Sequence, residues 1–225
     1  YHGMSIPFGH GPGNVLFAQL PAPVLSGLTD SLTIYYEGAP QTGLGFGAFV
    51  TSTHNGTPVL WTLSEPFGAR EWWPCKQSLT DKADSIDIHV TVPAGYKVAS
   101  NGLLKSVKPA GPGQFTHHWH SKYPIAAYLV AIAVTDYEEY TEYVPYPGGQ
   151  IPVLNYWYPE FIDQAQTETG VTIEIMQLFN QLAGLYPFYE EKYGHAHFGF
   201  GGGMEHQTMS FMTGASYGLI AHELA

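Results

Sequence analysis

The sequence predicts a mainly antiparallel β domain, followed by the opening of an α+β domain. Three observations support this fold class. Glycine (26 residues), proline (17) and aromatic residues (15%) are abundant among the 225 residues, as in β-rich proteins with many tight turns. Short runs before about residue 148 alternate between apolar and polar side chains. Later runs repeat apolar residues at steps of three and four. We therefore predict an N-terminal domain at 1–148 and a second domain at 149–225.

The clearest strand is the run 85–92, which is apolar at every second position and is followed by Pro93 and Gly95. Asn101-Gly102 predicts a hairpin turn between two short strands. The run 126–134 is apolar throughout, so it is either a strand buried on both faces or a short core helix. The other strand-like runs are 31–36, 46–51, 59–63, 115–119 and 153–157.

A helical period begins after residue 160. Its apolar and small residues fall on one face of a helix over about 161–183, with Gly184 and Pro187 to stop it. Residues 196–211 are expected to supply strands of a mixed sheet that leads into a helix at His222. The residues that carry the helical period are Ile162, Ala165, Thr169, Thr172, Met176, Phe179 and Ala183.

The composition excludes several classes of function. Eight basic residues stand against 19 acidic ones, a net charge of −11, and nucleic-acid partners require a basic face instead. No run of 18 apolar residues occurs, so we expect no transmembrane segment. Cys75 is the only cysteine, which excludes a disulfide framework and a thiolate zinc site. We expect it to be a small buried core residue.

The last four residues, His222-Glu223-Leu224-Ala225, match the first four positions of the zincin motif H-E-x-x-H. In that motif two histidines one helical turn apart face one metal ion, and the glutamate reaches the metal-bound water as a general base. The second histidine would follow Ala225 directly. Taken alone, the His-Glu pair is also explained as the solvated face of a helix.

A glycine-rich segment precedes this motif. Gly201, Gly202 and Gly203 stand directly before Met204 and Glu205. Glycine lets backbone N–H and C=O groups approach a ligand closely, because no side chain intervenes. Taken alone, the segment is also explained as a turn that carries a surface glutamate.

Together these residues resemble the zinc aminopeptidases of the gluzincin class, the aminopeptidase N family with its leukotriene hydrolase-like relatives. That family has a G-x-M-E-N motif a short stretch before H-E-x-x-H, and residues 202–206 match it with His206 in place of Asn. Further stretches agree in order: 64–75, which ends in Pro-Cys, then 123–130 and 186–194. The resemblance covers about residues 30–225.

The resemblance implies an antiparallel β-sandwich or saddle, whose first strands are expected to be missing, followed by the start of a thermolysin-like catalytic domain cut inside the H-E-x-x-H helix. It implies one zinc ion, with His222 as its first ligand and Glu223 as the general base. Because the chain ends inside the motif, we expect its own zinc site to be incomplete and the chain alone to be inactive. The remaining ligands and the catalytic tyrosine would lie beyond Ala225.

The substrate implied by the resemblance is a peptide with a free N-terminus, whose N-terminal residue is released by metal-activated water. Residues implied to bind it are Glu65, Gly202, Gly203, Met204 and Glu205. Among these, Glu205 would bind the free α-amine. Glu65 aligns with a Gln or Glu of the β domain that contacts the same amine. The family implies no single compartment, and we expect a periplasmic or secreted bacterial protein rather than a cytoplasmic one.

Two positions depart from the family. Leu63 stands where several members carry Gln. His206 replaces Asn, and would alter the pH dependence if it titrated near neutrality. His195 and His197, with His206, also form a possible metal cluster, although we favour a plain strand beside the cleft.

Three other patterns in the sequence indicate other functions. The segment 214–218 fits the G-x-S-x-G nucleophile elbow and would make Ser216 the nucleophile of a serine hydrolase, but only seven residues follow it. The segment 43–48 fits a loose dinucleotide fingerprint but precedes a strand-like run. A non-catalytic module that binds peptides or glycans is the alternative from another class, with Trp61, Trp72, Trp73, Trp119 and Trp157 as its aromatic platforms.

Overall fold

The computed structural model describes residues 1–40 and 46–225. They form two compact units, Tyr1–Ala39 and Pro40–Ala225. Gly43 and Gly45 of the dinucleotide-like pattern lie outside the described residues. Within the described ranges, no helix has the length and apolar character needed to cross a bilayer.

The elements of the described residues follow the chain in this order. The strands are β1 (Phe8–Gly11), β2 (Val15–Ala18), β3 (Phe49–His54), β4 (Thr57–Thr62), β5 (Ile86–Pro93), β6 (Lys97–Ser100), β7 (Leu103–Gly111), β8 (Gln114–Ser121), β9 (Ile132–Thr135), β10 (Glu138–Tyr146), β11 (Gly149–Trp157), β12 (Tyr193–His197), β13 (Gly203–Met204) and β14 (Ser210–Met212). The α-helices are α1 (Ile162–Glu168), α2 (Val171–Ala183) and α3 (Tyr217–Leu224).

The first unit contains the antiparallel pair β1–β2, joined by a 3-10 turn at Pro12–Asn14. The strand predicted at 31–36 is wrong, since these residues have no regular structure. All six are exposed, and Tyr35 is 93% exposed. Their alternation therefore buries no apolar face, which is what stabilises a strand against a sheet.

Two antiparallel sheets make up the β part of the second unit. One has the order β3-β4-β9-β6 and the other β5-β8-β7. The alternation predicted at 85–92 is confirmed by β5, whose isoleucines and valines are buried or half-buried while the residues between them are exposed. Ile88 lies opposite Trp119, a fully buried residue of β8. The run 126–134 divides into a 3-10 turn at Ala127–Leu129 and strand β9, so both predicted alternatives are partly realised.

The hairpin predicted at Asn101-Gly102 is wrong. Strand β6 pairs with β9, whereas β7 pairs with β8, so the dipeptide links two sheets. A type I′ hairpin turn needs positive φ at both central residues, but of this pair only Gly102 has one (+72°). The dipeptide that does form a hairpin is Asn55-Gly56, with φ of 48° and 85°, between β3 and β4.

The third sheet is mixed, with the order β10-β11-β12-β14-β13. Strands β11, β12 and β14 are parallel, and the two outer pairs are antiparallel. This confirms the mixed sheet expected over 196–211. The helix predicted at 161–183 is present as α1 and α2, which are separated near Gly170. The predicted domain boundary at residue 148 falls in the β10–β11 turn, within this sheet, and stays a prediction.

One hydrophobic core joins the β sheets to the mixed sheet. Its buried residues come from both, for example Trp61 and Trp119 from the first part and Phe198 and Phe211 from the second. Burial of a large aromatic side chain stabilises a fold by about 1.5–3 kcal/mol. The β sheets and the mixed sheet of the second unit therefore share one hydrophobic core.

Candidate active site

Strand β13 is an edge strand made by the glycine-rich segment. It pairs with β14 through Gly203 opposite Met212 and Met204 opposite Phe211, and it is the last strand of its sheet among the described residues. Gly202, with a φ of 135°, accepts a hydrogen bond from the backbone N–H of Thr213 at 3.0 Å. The outer edge of β13 is thus a short template on which an extended peptide can pair.

Helix α3 brings Glu223 directly to this edge strand. Ser216 caps the helix, its hydroxyl accepting from the N–H of Leu219 at 3.4 Å. The hydroxyl of Ser210 donates to the carbonyl of Glu223 at 3.1 Å, which ties the end of the helix to β14. A Cβ added at Gly203 would lie 2.3 Å from Oε1 of Glu223. With any larger residue at this position, the side chain of Glu223 would have to shift.

Three carboxylates share the site. Burial raises the pKa of Glu223 to about 7; the charge of His222 opposes this, and the charges of Glu205 and Glu65 add to it. The pKa of Tyr128 is also raised, by burial first and then by Glu205 and Glu65. Glu65 comes from the β part of the unit and Glu205 from the segment after β13. The structure therefore brings Glu205 and Glu65 close enough to Glu223 for their charges to raise its pKa.

The residues at α3 fit one side of a zinc site. His222 is exposed and offers an imidazole, the commonest nitrogen ligand of zinc. Oε2 of Glu223 is buried and has no hydrogen-bond partner among the described residues. A buried carboxylate oxygen left without a partner is costly unless a ligand or proton satisfies it. These two groups match the first ligand and the base of the H-E-x-x-H motif.

The buried histidines do not form a metal cluster. His195 is fully buried and shares a hydrogen bond with Asn155 at 2.7 Å, and burial lowers its pKa to about 3. His197 packs among aromatic rings, and burial lowers its pKa to about 4. Burial also lowers the pKa of His206 to about 3, so it does not titrate near neutrality. Among the described residues, the three possible metal ligands that lie close together are Asp87, His89 and His118. This group contains none of the three buried histidines.

Sequence reasoning missed the anchor that holds the loop after Glu205. Asn101 donates to the carbonyl of Gln207 at 2.6 Å, and the N–H of Gly102 donates to Oγ1 of Thr208 at 2.8 Å. Thr208 has a left-handed φ of 67°. The ammonium of Lys192, whose residue is fully buried, donates to the carbonyl of Thr208 at 2.7 Å.

Burial lowers the pKa of Lys192 to about 7. Its Nζ also lies 5.6 Å from the ring centroid of Trp119, on the neighbouring sheet. The anchor therefore connects the β sheets with the segment that carries Glu205. In the sequence, Asn101-Gly102 indicated only a turn, and no local pattern indicated the anchor.

Other predicted residues lie in the core. Met204 is 1% exposed and Leu63 2%, so both side chains pack inward and only the backbone of Met204 is available for pairing at the edge of β13. Cys75 is half-buried rather than buried as expected, because it lies in a surface segment outside the regular strands.

The aromatic platforms of the alternative module are not supported. Trp61, Trp119 and Trp157 are at most 6% exposed, and Trp72 and Trp73 are half-buried. Tryptophans in such positions contribute packing rather than a binding face.

Comparison with known proteins identifies a matching family and several similar solved structures. Residues 10–129 match the model of the peptidase M1 N-terminal domain. The M1 zinc metallopeptidase from Deinococcus radiodurans is similar in structure, with a TM-score of 0.81 and 20% identity over 99% of this chain and 51% of that chain. A variant of it bound to a Tyr-Ser-Ala substrate gives a TM-score of 0.79 and 21% identity over the same shares. No curated protein matches.

A two-domain M1 zinc metallopeptidase variant bound to L-arginine gives a TM-score of 0.77 and 21% identity, over 99% of this chain and 51% of that chain. The chain thus spans about half the length of these solved structures. At such identities the likeness shows the fold, and the residues of the site have to be argued from their own geometry.

Proposed function

Because the chain belongs to the family with the peptidase M1 N-terminal domain, we propose that it forms part of a zinc-dependent aminopeptidase that releases N-terminal residues from peptides. One observation carries this proposal. The carboxylate of Glu223 packs against the backbone of an edge strand, with Glu205 and Glu65 close enough to shift its pKa. A peptide paired with that strand has its backbone beside a base and its ammonium beside two further carboxylates.

The substrate's N-terminus is the group that these carboxylates recognise. A primary ammonium between Glu205 and Glu65 makes charge-assisted hydrogen bonds, each contributing about 1.5–3 kcal/mol. Holding the ammonium fixes how far the peptide reaches along β13. The bond that arrives beside Glu223 is then the first peptide bond, which is why the reaction is that of an exopeptidase.

The chemistry at α3 is divided between His222 and Glu223. Bound zinc supplies Lewis-acid polarisation and lowers the pKa of a water molecule. His222 would hold the ion through an imidazole nitrogen. Glu223, which lies in a desolvated position against Gly203, would accept a proton at its carboxylate and pass it to the departing amine.

The test uses the full-length protein that contains this chain. We expect a peptide with a free N-terminus to be cleaved and the same peptide with an acetylated N-terminus to be cleaved at least about 10²-fold more slowly, because the ammonium contacts are lost. Glu205→Gln should lower kcat/KM for the free peptide by about 10-fold or more. Glu65→Gln should do less, since Glu205 remains.

Glu138→Gln, at an exposed position of β10, is the matched control and should leave kcat/KM unchanged. Equal cleavage of the free and the acetylated peptide would refute the aminopeptidase proposal and leave an endopeptidase. A protein that cleaves neither peptide, with zinc bound, would argue for a non-catalytic binding role.

A further inference from the structure

Four polar side chains meet on the outer face of β5 and β8. Asp87 and His89 are alternate residues of β5, and His118 and His120 are alternate residues of β8. The register pairs Asp87 with His120 and His89 with His118. Alternate residues of a strand point to one face, and residues directly opposite have Cβ atoms about 4.5–5.5 Å apart. The four side chains therefore occupy one compact square, on the face opposite to Trp119.

The possible ligand atoms are already close together. One ligand atom from each of Asp87, His89 and His118 lies within 4.8 Å of the others. Nε2 of His118 is 2.6 Å from Oδ1 of Asp87, and Nδ1 of His120 is 3.1 Å from the same oxygen. The rings of His89 and His118 are stacked, with centroids 4.1 Å apart. Tetrahedral bonds of about 2.0–2.2 Å place ligand atoms about 3.4 Å apart, so Nε2 of His118 and Oδ1 of Asp87 would separate slightly while the third ligand atom approaches.

The donor set selects the class of ion. Imidazole nitrogens with one carboxylate oxygen suit zinc, copper and nickel, whereas magnesium and calcium prefer oxygen ligands alone. On the far side of β8, the residues opposite the two histidines are Ser106 and Leu103, which carry no charge.

From this geometry we infer that Asp87, His89 and His118 form a binding site for a divalent transition metal ion of the zinc class. His120 is oriented by Asp87 and acts as a fourth ligand or as a hydrogen-bond partner of the carboxylate. This site is separate from the zinc site proposed at His222. It does not depend on peptidase activity.

The ion would link β5 to β8 across the outer face of their sheet. A ligand that binds the folded state and not the unfolded state stabilises the protein by mass action, and the gain grows with free ion concentration. With His120 as fourth ligand the tetrahedral site is closed, as in structural zinc sites, and with His120 only as the partner of Asp87 one coordination position is left for water. The expected role is therefore a structural or an exchangeable surface site.

The experiment is calorimetric titration of the tag-free 225-residue chain with zinc chloride at neutral pH, alongside thermal unfolding with and without zinc. We expect one site that His118→Ala or His89→Ala weakens at least about 10-fold, the loss that even a second-shell change often causes. Asp87→Asn keeps the shape, removes the charge and should weaken binding similarly. His10→Ala, an exposed histidine of the first unit, is the matched control.

A further variant, His222→Ala, separates this site from the proposed peptidase zinc site. Zinc binding that His222→Ala abolishes and His118→Ala leaves intact would overturn this inference and support the proposed function. Absence of any binding or of any zinc-dependent thermal shift would also overturn it. If an alanine variant does not fold, His118→Gln and His89→Gln retain the polar surface and should show the same weakening.

Discussion

At the scale of single residues, Gly203 sets how close Glu223 comes to the edge strand. A methyl group there would lie 2.3 Å from Oε1 and 2.7 Å from Cγ of the glutamate. The backbone cannot yield without breaking the β13–β14 pairing, so the glutamate has to move. Placement errors of about 1 Å in a catalytic group can lower rates about 10²-fold.

We therefore expect Gly203→Ala in the full-length protein to lower kcat about 10²-fold while the melting temperature changes little. Gly201→Ala is the matched control, because a Cβ at that position meets nothing within 4 Å. Steady-state kinetics and thermal unfolding of both variants test this. Unchanged kcat in Gly203→Ala would mean that the position of Glu223 is not critical.

Lys192 carries a second prediction at this scale. Burial lowers its pKa to about 7, while an unfolded lysine titrates near 10.4. Between these values the unfolded state binds a proton that the folded state lacks, so stability rises with pH across that window. Below about pH 7 the cost of burying the ammonium is complete, and above about pH 10.4 it vanishes.

The free energy of unfolding is expected to rise by up to about 1.4 kcal/mol per pH unit in this window. Urea unfolding of the chain at pH 7, 8 and 9 should show this rise for the unmodified protein and lose it in Lys192→Met. Lys105→Met, at an exposed position, should retain it. Parallel slopes for all three proteins would show that Lys192 does not titrate in this range.

The roles of these residues differ in how far the sequence predicts them. Glu205, His222 and Glu223 lie in motifs that the sequence shows directly, and their roles stay predictions. Lys192 follows two acidic residues in a polar stretch, so nothing local indicates full burial. Its environment is created by Thr208 and Trp119, which are distant in sequence. Such burial depends on tertiary packing and has no local pattern.

At the scale of elements, the two Asn-Gly pairs show what a local pattern can and cannot decide. Both glycines have left-handed backbones, with φ of 85° at Gly56 and 72° at Gly102. The pattern predicts the bend but not the partner of the following strand. Asn101 is fully buried, and its amide group bonds to the backbone of Leu129, Ala131 and Gln207. These distant partners keep the chain from closing a hairpin there.

This contrast predicts unequal effects of one substitution. Gly56→Ala and Gly102→Ala both force alanine into the left-handed region, which costs about 1–2 kcal/mol. At Gly56 a Cβ meets nothing within 4 Å, whereas at Gly102 it would lie 2.1 Å from the carbonyl oxygen of His120. Urea unfolding should therefore show about 1–2 kcal/mol lost in Gly56→Ala and at least about 3 kcal/mol in Gly102→Ala.

Equal losses of stability in the two glycine variants would mean that the backbone of the link between the two sheets shifts freely to accommodate the methyl group.

Among the other elements, β5 was predicted well because its alternation is regular and one face is buried. The run 31–36 also alternates, but its burial depends on neighbours that the local sequence does not specify. Periodicity therefore predicted the strands that have a core to face.

At the scale of the whole molecule, three buried histidines make the free energy of unfolding fall at acidic pH. Burial holds the pKa of His195, His197 and His206 at about 3, 4 and 3, while unfolded histidine titrates near 6.5. As pH falls from 6.5 toward 4, the unfolded state binds protons that the folded state refuses, and stability falls. Glu223, whose pKa is raised to about 7, binds about one proton more in the folded state than in the unfolded state over this range. It therefore offsets part of the loss of stability.

The net difference of about two protons near pH 5 corresponds to about 3 kcal/mol per pH unit, against a typical total stability of 5–15 kcal/mol. We expect the urea midpoint of the chain to fall steeply between pH 6.5 and 4.5. His206→Phe should reduce the slope by about one proton, and the exposed-site control His10→Phe should not. A midpoint independent of pH in this range would contradict the buried neutral histidines.

The β10–β11 hairpin also bears on how such a chain can be recombined. Nine residue pairs join the two strands across the turn at residue 148. A crossover placed there would give a chimera in which β10 comes from one parent and its partner strand from another. A crossover before Glu138 preserves the hairpin but still divides the shared interior, where Trp119 meets Tyr156. A chimera that exchanges the β part alone therefore needs core side chains from the two parents that pack against each other. A chimera that takes residues 40–225 from one parent does not.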